Sequence, residues 1–315
     1  MNFQLLKKRN FNTIFSDTFS FFKAYGKPYF KGFFLINGGV ILLLLVTMYF
    51  FSKNILDSMV TSLNTNYSGF KTYEPDFFGE PSSVVLTILI TLLAIVLSMV
   101  MYLYPIGFLS KIAANEAVTT ESLFGFIKKR MMKAILFFFA SLVTFVPIIL
   151  LVSLVIGVLT LFLIGIPLMI IVYPAILIWI VLAFYDNMST SNSFFTSLGV
   201  GFNFLFTKFW TNWGSAIIIS MIINIVGSII FFVPYLINMI SFFTSMKSVN
   251  IEDASFNDAS TNFFIVTLII SVISMLVSFV LQNLLLINLG VIYYSNVEER
   301  DNLQLNTEID DIGNN

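Results

Sequence analysis

The chain has 315 residues, 58% of them in the apolar set AVILMFWYC, 37 of them Phe, and only 10% charged, with a mean hydropathy of +0.93. A soluble domain carries roughly 25% charged and 45 to 50% apolar residues, so a water-soluble enzyme is excluded. The chain has no Cys and no His, which closes thiolate, imidazole-metal and histidine-relay chemistry, and its net charge of −1 gives no bias toward nucleic acid.

An apolar helix of about 20 residues crosses a hydrocarbon core of about 30 Å and satisfies its own backbone there. The opening MNFQLLKKRN is basic but is not followed by a cleavable apolar core, so the first span rather than a removed signal peptide is expected to target the chain. Phe11, Ile14, Phe15, Phe19, Phe22 and Tyr25 form one stripe opposite Asn12, Ser16, Ser20, Lys23 and Lys27, which predicts an amphipathic helix in the interface plane. Span one comes next at 33–51, then an outer loop at 52–83, then span two at 84–108. Within that loop Glu74, Asp76 and Glu80 lack the spacing and central glycine of a calcium loop and read as a solvated cluster. Asn66-Tyr67-Ser68 is a formal glycosylation sequon that matters only in a eukaryotic secretory host.

A second amphipathic segment, TTESLFGFIKKRMMK at 119–133, places Leu123, Phe124 and Ile127 on one side. Between Lys133 and Asp186 lie 52 residues without a charge, enough for two spans, 134–158 and 167–185, with a turn in 157–167 where LFLIGIP supplies Gly and Pro. The third amphipathic segment, 189–213, spaces Phe194, Phe195, Leu198, Phe202, Leu205, Phe206, Phe209 and Trp213 by three and four, with Trp210 and Trp213 suited to an aromatic belt. Spans five and six fall at 215–243 and 263–294, separated by a short acidic loop. The acidic tail, 296–315, is expected to be a mobile terminus, with docking through Leu303, Leu305, Ile309 and Ile312 as the alternative.

The predicted fold class is therefore all-α: a polytopic membrane protein with six transmembrane helices and three interfacial amphipathic helices in one membrane domain, 1–295. Lys and Arg are sorted 13 to 3 across these spans, which by the positive-inside rule puts both termini in the cytoplasm. Tyr104-Pro105 precedes Ser122 by 17 residues from the proline, and Tyr173-Pro174 precedes Ser193 by 19. These joins suggest three helix-plus-hairpin repeats, at 1–108, 109–185 and 186–295; independent Phe-rich anchors before each hairpin are the alternative.

None of the six spans contains an ionisable side chain, which weighs against carboxylate-coupled transport and voltage sensing. Neutral polar residues line up on three of them: Thr87, Thr91, Ser98 and Tyr102 on span two, Ser220, Asn224, Gly227, Ser228 and Asn238 on span five, and Ser271, Ser274, Ser278 and Gln282 on span six, next to Asn283. Such faces let helices approach and hydrogen-bond in lipid; the sharper reading is a polar path. The run Lys128, Lys129, Arg130, Lys133 is both a topogenic signal and a candidate site for anionic lipid head groups. Phosphate loops, nucleotide fingerprints and Ser-Lys dyads are absent, and no cofactor, metal site or catalytic residue is predicted.

The segment SFFTSLGVGFNFLFTKFWTNWGS feeding a hydrophobic hairpin resembles the bacterial glycerophosphodiester phosphodiesterase membrane domain family, and the ending IYYSNVEERDNLQLNTEIDDIG is similar to that of its six-span members. The resemblance implies a bacterial inner-membrane protein without the family's separate catalytic domain, since there is no His and no room for it. The expected role is a non-enzymatic scaffold or accessory subunit of an envelope assembly, with the bilayer, other membrane proteins or a second copy as partners. The alternative is a transporter or flippase-like protein for a small or lipidic substrate.

Overall fold

Long runs of Leu, Ile, Phe and Val without internal turn chemistry leave helix as the only self-satisfying backbone, and helix is what the chain adopts. The computed structural model describes residues 3–67, 81–246 and 254–302, and among them there are seven helices and no strand. They are α1 (Phe11–Tyr67), α2 (Pro81–Ala113), α3 (Thr120–Thr160), α4 (Gly165–Ser189), α5 (Phe194–Thr207), α6 (Phe209–Met246) and α7 (Ala254–Asp301). All but α5 are long and apolar enough to cross a membrane, the arrangement of a multi-pass membrane protein. The cluster Glu74, Asp76, Glu80, Ser68 of the sequon, and residues 303–315 of the tail lie outside the described residues.

Local chemistry sets the helix ends. Asn10 opens α1 by accepting the Thr13 N–H on its side-chain oxygen, while Thr13 Oγ1 accepts the Asn10 N–H in return. Thr119 and Ser122 form the same reciprocal box before α3, and Ser193 caps α5 through the Thr196 N–H. The break between α3 and α4 falls at 161–164, inside the expected turn, with Leu163 at φ 61. Gly165 comes directly after it because a Cβ there would collide with the Ile156 carbonyl and the Thr160 side chain.

Two of the segments expected as separate interfacial helices are instead continuous with the spans they precede, in α1 and α3. The stretch from Ser122 to Phe145 holds one Gly and no Pro, and its Lys and Arg are good helix formers, so nothing interrupts α3 there. In α1 the single Pro28 removes one donor from a helix whose apolar stripe continues on both sides. Only α5 stands as a short helix of its own. The helix α7 likewise runs on through Asn296, Val297 and Glu298, all buried, so the tail begins later than its acidic composition suggests.

The chain divides into two compact units. The first comprises residues up to Ile36, then Met99–Ile222, then Gln282 onward; the second comprises Asn37–Ser98 and Ile223–Leu281. Among the described residues the first unit's segments hold 13 Lys and Arg, and the second's hold Lys53. The core sits in the first unit: Phe21, Tyr29, Phe33, Tyr104, Phe108 and Tyr185 are fully buried. Edge-to-face ring pairs run through it, as between Tyr29 and Tyr104 at 5.0 Å. Among the described residues of the second unit only scattered apolar positions, such as Ile41, Leu44 and Ile270, are buried, and many large apolar side chains are exposed.

Candidate functional site

The polar chemistry of the first unit gathers where α4 ends. Asp186 closes the charge-free run and, rather than meeting water as a span boundary, is 1% exposed. A buried carboxylate needs donors around it. Tyr293 of α7 donates to Asp186 Oδ1 at 3.3 Å, and Asn192 Nδ2 to Oδ2 at 2.9 Å. The Asp186 carbonyl accepts from the Thr190 N–H and hydroxyl, and Asn187 Nδ2 donates to the Asn192 carbonyl and Ser197 Oγ. Short polar side chains satisfy the α4 C-terminus and the start of α5 in one stroke.

Lys133 of α3 completes the knot. Its ammonium donates to the carbonyls of Asn187, Thr190 and Asn192, and Arg130 Nη1 donates to the Thr190 carbonyl at 3.3 Å. Cations at the negative end of α4 and carbonyls turned toward them are mutually stabilising. Beside the knot, Ser110 at the end of α2, Ser189 at the end of α4 and Tyr294 near the end of α7 share hydroxyl contacts, with Tyr294 donating to Ser110 at 3.1 Å. Close backbone packing holds α5 in place: a Cβ on Gly201 would lie 2.6 Å from the Ala183 nitrogen of α4.

Further buried bonds tie the same unit together. Tyr29 donates to Asn283 Oδ1 at 2.6 Å, Tyr104 to the Tyr29 carbonyl at 2.6 Å, and Tyr185 to the Leu286 carbonyl at 2.6 Å. Asn288 Nδ2 reaches both Thr18 and Ser215 at 3.0 Å, while its Oδ1 is buried without a partner among the described residues. Arg9 is also buried, and burial pulls its guanidinium down from the usual arginine value while Asp17 opposes that.

The polar residues singled out in the sequence have different fates. Gln282 bonds Tyr102 and Asn283 bonds Tyr29, both inside the first unit. Thr87 and Thr91 donate to carbonyls four residues back in their own helix, at 2.8 Å each. Ser98, Asn224, Ser228 and Ser278 are exposed, and Ser274 Oγ is buried without a partner among the described residues. The basic run splits: Arg130 and Lys133 turn to the α4–α5 link, whereas Lys128 and Lys129 are exposed.

Asp186 and Asn288 escape a reading of the sequence because each is a single polar residue beside a long apolar run. The signal for Asp186 lies just downstream of it, in the dense series Asn187, Ser189, Thr190, Asn192 and Ser193, all residues that bond nearby backbone. The knot joins α3, α4, α5 and α7 through one carboxylate, one ammonium, one guanidinium and neutral donors; among the described residues there is no cluster suited to a metal ion. No protein-family model matches the chain, and no curated protein and no solved structure matches it.

Proposed function

We propose that the chain is a bacterial inner-membrane protein, with both termini in the cytoplasm, that acts as a non-enzymatic scaffold or accessory subunit of an envelope assembly. The observation that carries this reading is the outer half of the α3–α4 hairpin. There Leu150, Leu154, Leu161, Phe162, Ile166 and Ile170 are all exposed, on both helices and across the turn. A two-helix projection uncovered on so many sides, anchored at its base by the Asp186–Lys133 knot, offers a rigid surface to helices of another chain. Lipid gives no hydrophobic drive for such association, so packing must supply it. The exposed Phe195, Phe202 and Phe206 of α5 suit a helix lying in the interface, and the resemblance of 193–215 and 292–313 to the membrane domain family supports the bacterial setting. The test is extraction in a gentle detergent: a stoichiometric partner that is lost when Leu154 and Phe162 are both changed to Ala supports the scaffold, and a monodisperse chain without partner or second copy contradicts it.

A second reading, a flippase-like protein for a lipidic substrate, draws on a cavity of about 140 Å³ in the second unit. Leu45, Met48 and Tyr49 of α1 and Phe264, Leu268 and Met275 of α7 line it, an apolar slot suited to part of an acyl chain. The chain alone moving a labelled lipid across liposomes would favour this reading over the scaffold.

A further inference from the structure

Residues 3–9 fold back onto the first turns of α1 and form one side of an open cavity of about 610 Å³, lined by Phe3, Gln4, Lys7, Asp17, Ser20, Lys23 and Ala24. The wall is built rather than incidental. The buried Arg9 side chain donates to the carbonyls of Gln4, Leu5 and Lys7 and to Asp17 Oδ2 at 2.8 Å, and the Arg9 N–H donates to Ser295 Oγ of α7 at 3.0 Å. The Phe3 ring packs edge-on against Phe21 and Tyr25. Volume of this order is what a small-molecule site requires.

The charge in this cavity is unbalanced. Its one acid, Asp17, is engaged by Arg9 at 2.8 Å and lies 3.9 Å from the Lys7 ammonium. Lys23 has no hydrogen-bond or ion-pair partner among the described residues and is exposed, as are Lys27 and Lys31 above it on the same stripe of α1. Like charges four residues apart repel on a helix, so Lys23, Lys27 and Lys31 in register leave a strip that an anion would relieve. Apolar Phe3 and Ala24 beside two ammonium groups suit a ligand with a charged head and an uncharged body.

From this geometry we propose that the N-terminal cavity binds a phosphate ester, its phosphate held by Lys7 and Lys23 and its uncharged part against Phe3 and Ala24. This site is separate from the Lys128 and Lys129 pair and does not depend on the scaffold reading. Phosphate carried by a lipid head group and phosphate on a soluble ester share this chemistry, and the experiment separates them. The full chain in mild detergent is examined by native mass spectrometry with phosphatidylglycerol or phosphatidylcholine, and by calorimetry with inorganic phosphate and glycerol phosphate.

Retention of phosphatidylglycerol with no heat from the soluble phosphates identifies the lipid head group; heat from the soluble phosphates identifies a soluble ester. In either case Lys7→Gln with Lys23→Gln weakens binding by roughly tenfold or more, Lys7→Arg with Lys23→Arg retains it, and Lys128→Gln with Lys129→Gln leaves it unchanged. Both cavity lysines are solvent-facing, so the double Gln variant keeps the parent unfolding temperature. Binding of none of these probes, or equal binding by the parent and the double Gln variant, overturns the proposal.

Discussion

Replacing Lys133 by Met removes the ammonium while keeping the length and apolar stem of the side chain. The carbonyls of Asn187, Thr190 and Asn192 each lose a donor, although Thr190 keeps Arg130 and Asn192 keeps the Asn187 amide, and the buried Asp186 loses the attraction of a cation on α3. A hydrogen bond to a charged group contributes about 1.5 to 3 kcal/mol when it is well buried. Lys133 is half-buried, so water recovers part of the loss, and the net cost is about 2 kcal/mol. For a chain of 315 residues that corresponds to a fall in unfolding temperature of about 3 °C. The assay is thermal unfolding of the full chain in mild detergent, monitored by the loss of the monodisperse chromatographic peak. Lys128→Met with Lys129→Met is the matched control, because these residues are exposed, and it is expected to leave the midpoint unchanged. A Lys133→Met protein as stable as the parent, or an equal fall in the control, would refute the division of the basic run into anchoring and free halves.

Gly201→Val drives a side chain into the Ala183 backbone and should cost about 1 to 3 kcal/mol, whereas Gly199→Ala, with open space around it, should be neutral or slightly stabilising in the same unfolding assay. Tyr293→Phe takes one donor from Asp186 and is expected to lower stability by about 1 to 2 kcal/mol, less than Asp186→Ala, which leaves Asn192 and Tyr293 without their shared acceptor and removes the negative charge that attracts Lys133. Ser98→Ala, Ser228→Ala and Ser278→Ala change exposed hydroxyls and should each stay within about 0.5 kcal/mol of the parent. If any of these three abolishes lipid or solute movement in liposomes while leaving folding intact, the polar-path reading moves ahead of the scaffold.

The spans were legible because charge exclusion is a one-dimensional signal: 52 uncharged residues can only be apolar secondary structure, and Gly165 with Pro167 mark where it turns. Helix continuity was not legible. Periodicity at three and four reads the same whether a segment ends before a span, as α5 does at Thr207, or runs into it, as the start of α1 does. At Lys208 the backbone leaves the helix, and Asn212 bonds the Phe204 carbonyl it frees, a stop that depends on a contact eight residues apart. The Asp186 knot was hidden for a related reason. Its partners come from α3, α5 and α7, and Tyr293 is 107 residues away, so burial of the acid is a tertiary fact. The polar residues singled out lie on α2, α6 and α7, yet sequence spacing does not tell a hydroxyl that bonds its own helix, as Thr87 does, from one that bonds a neighbour.

The sorting of charge across a bilayer underlies the scaffold and flippase readings alike, and the natural absence of cysteine makes it directly measurable. Single substitutions Lys8→Cys, Lys129→Cys, Asn302→Cys and Ser58→Cys, each in the full chain, can be exposed to a membrane-impermeant maleimide in intact spheroplasts and again after lysis. With both termini in the cytoplasm, Ser58→Cys is labelled in intact spheroplasts and the other three only after lysis. Labelling of Asn302→Cys or Lys129→Cys before lysis would overturn the proposed orientation.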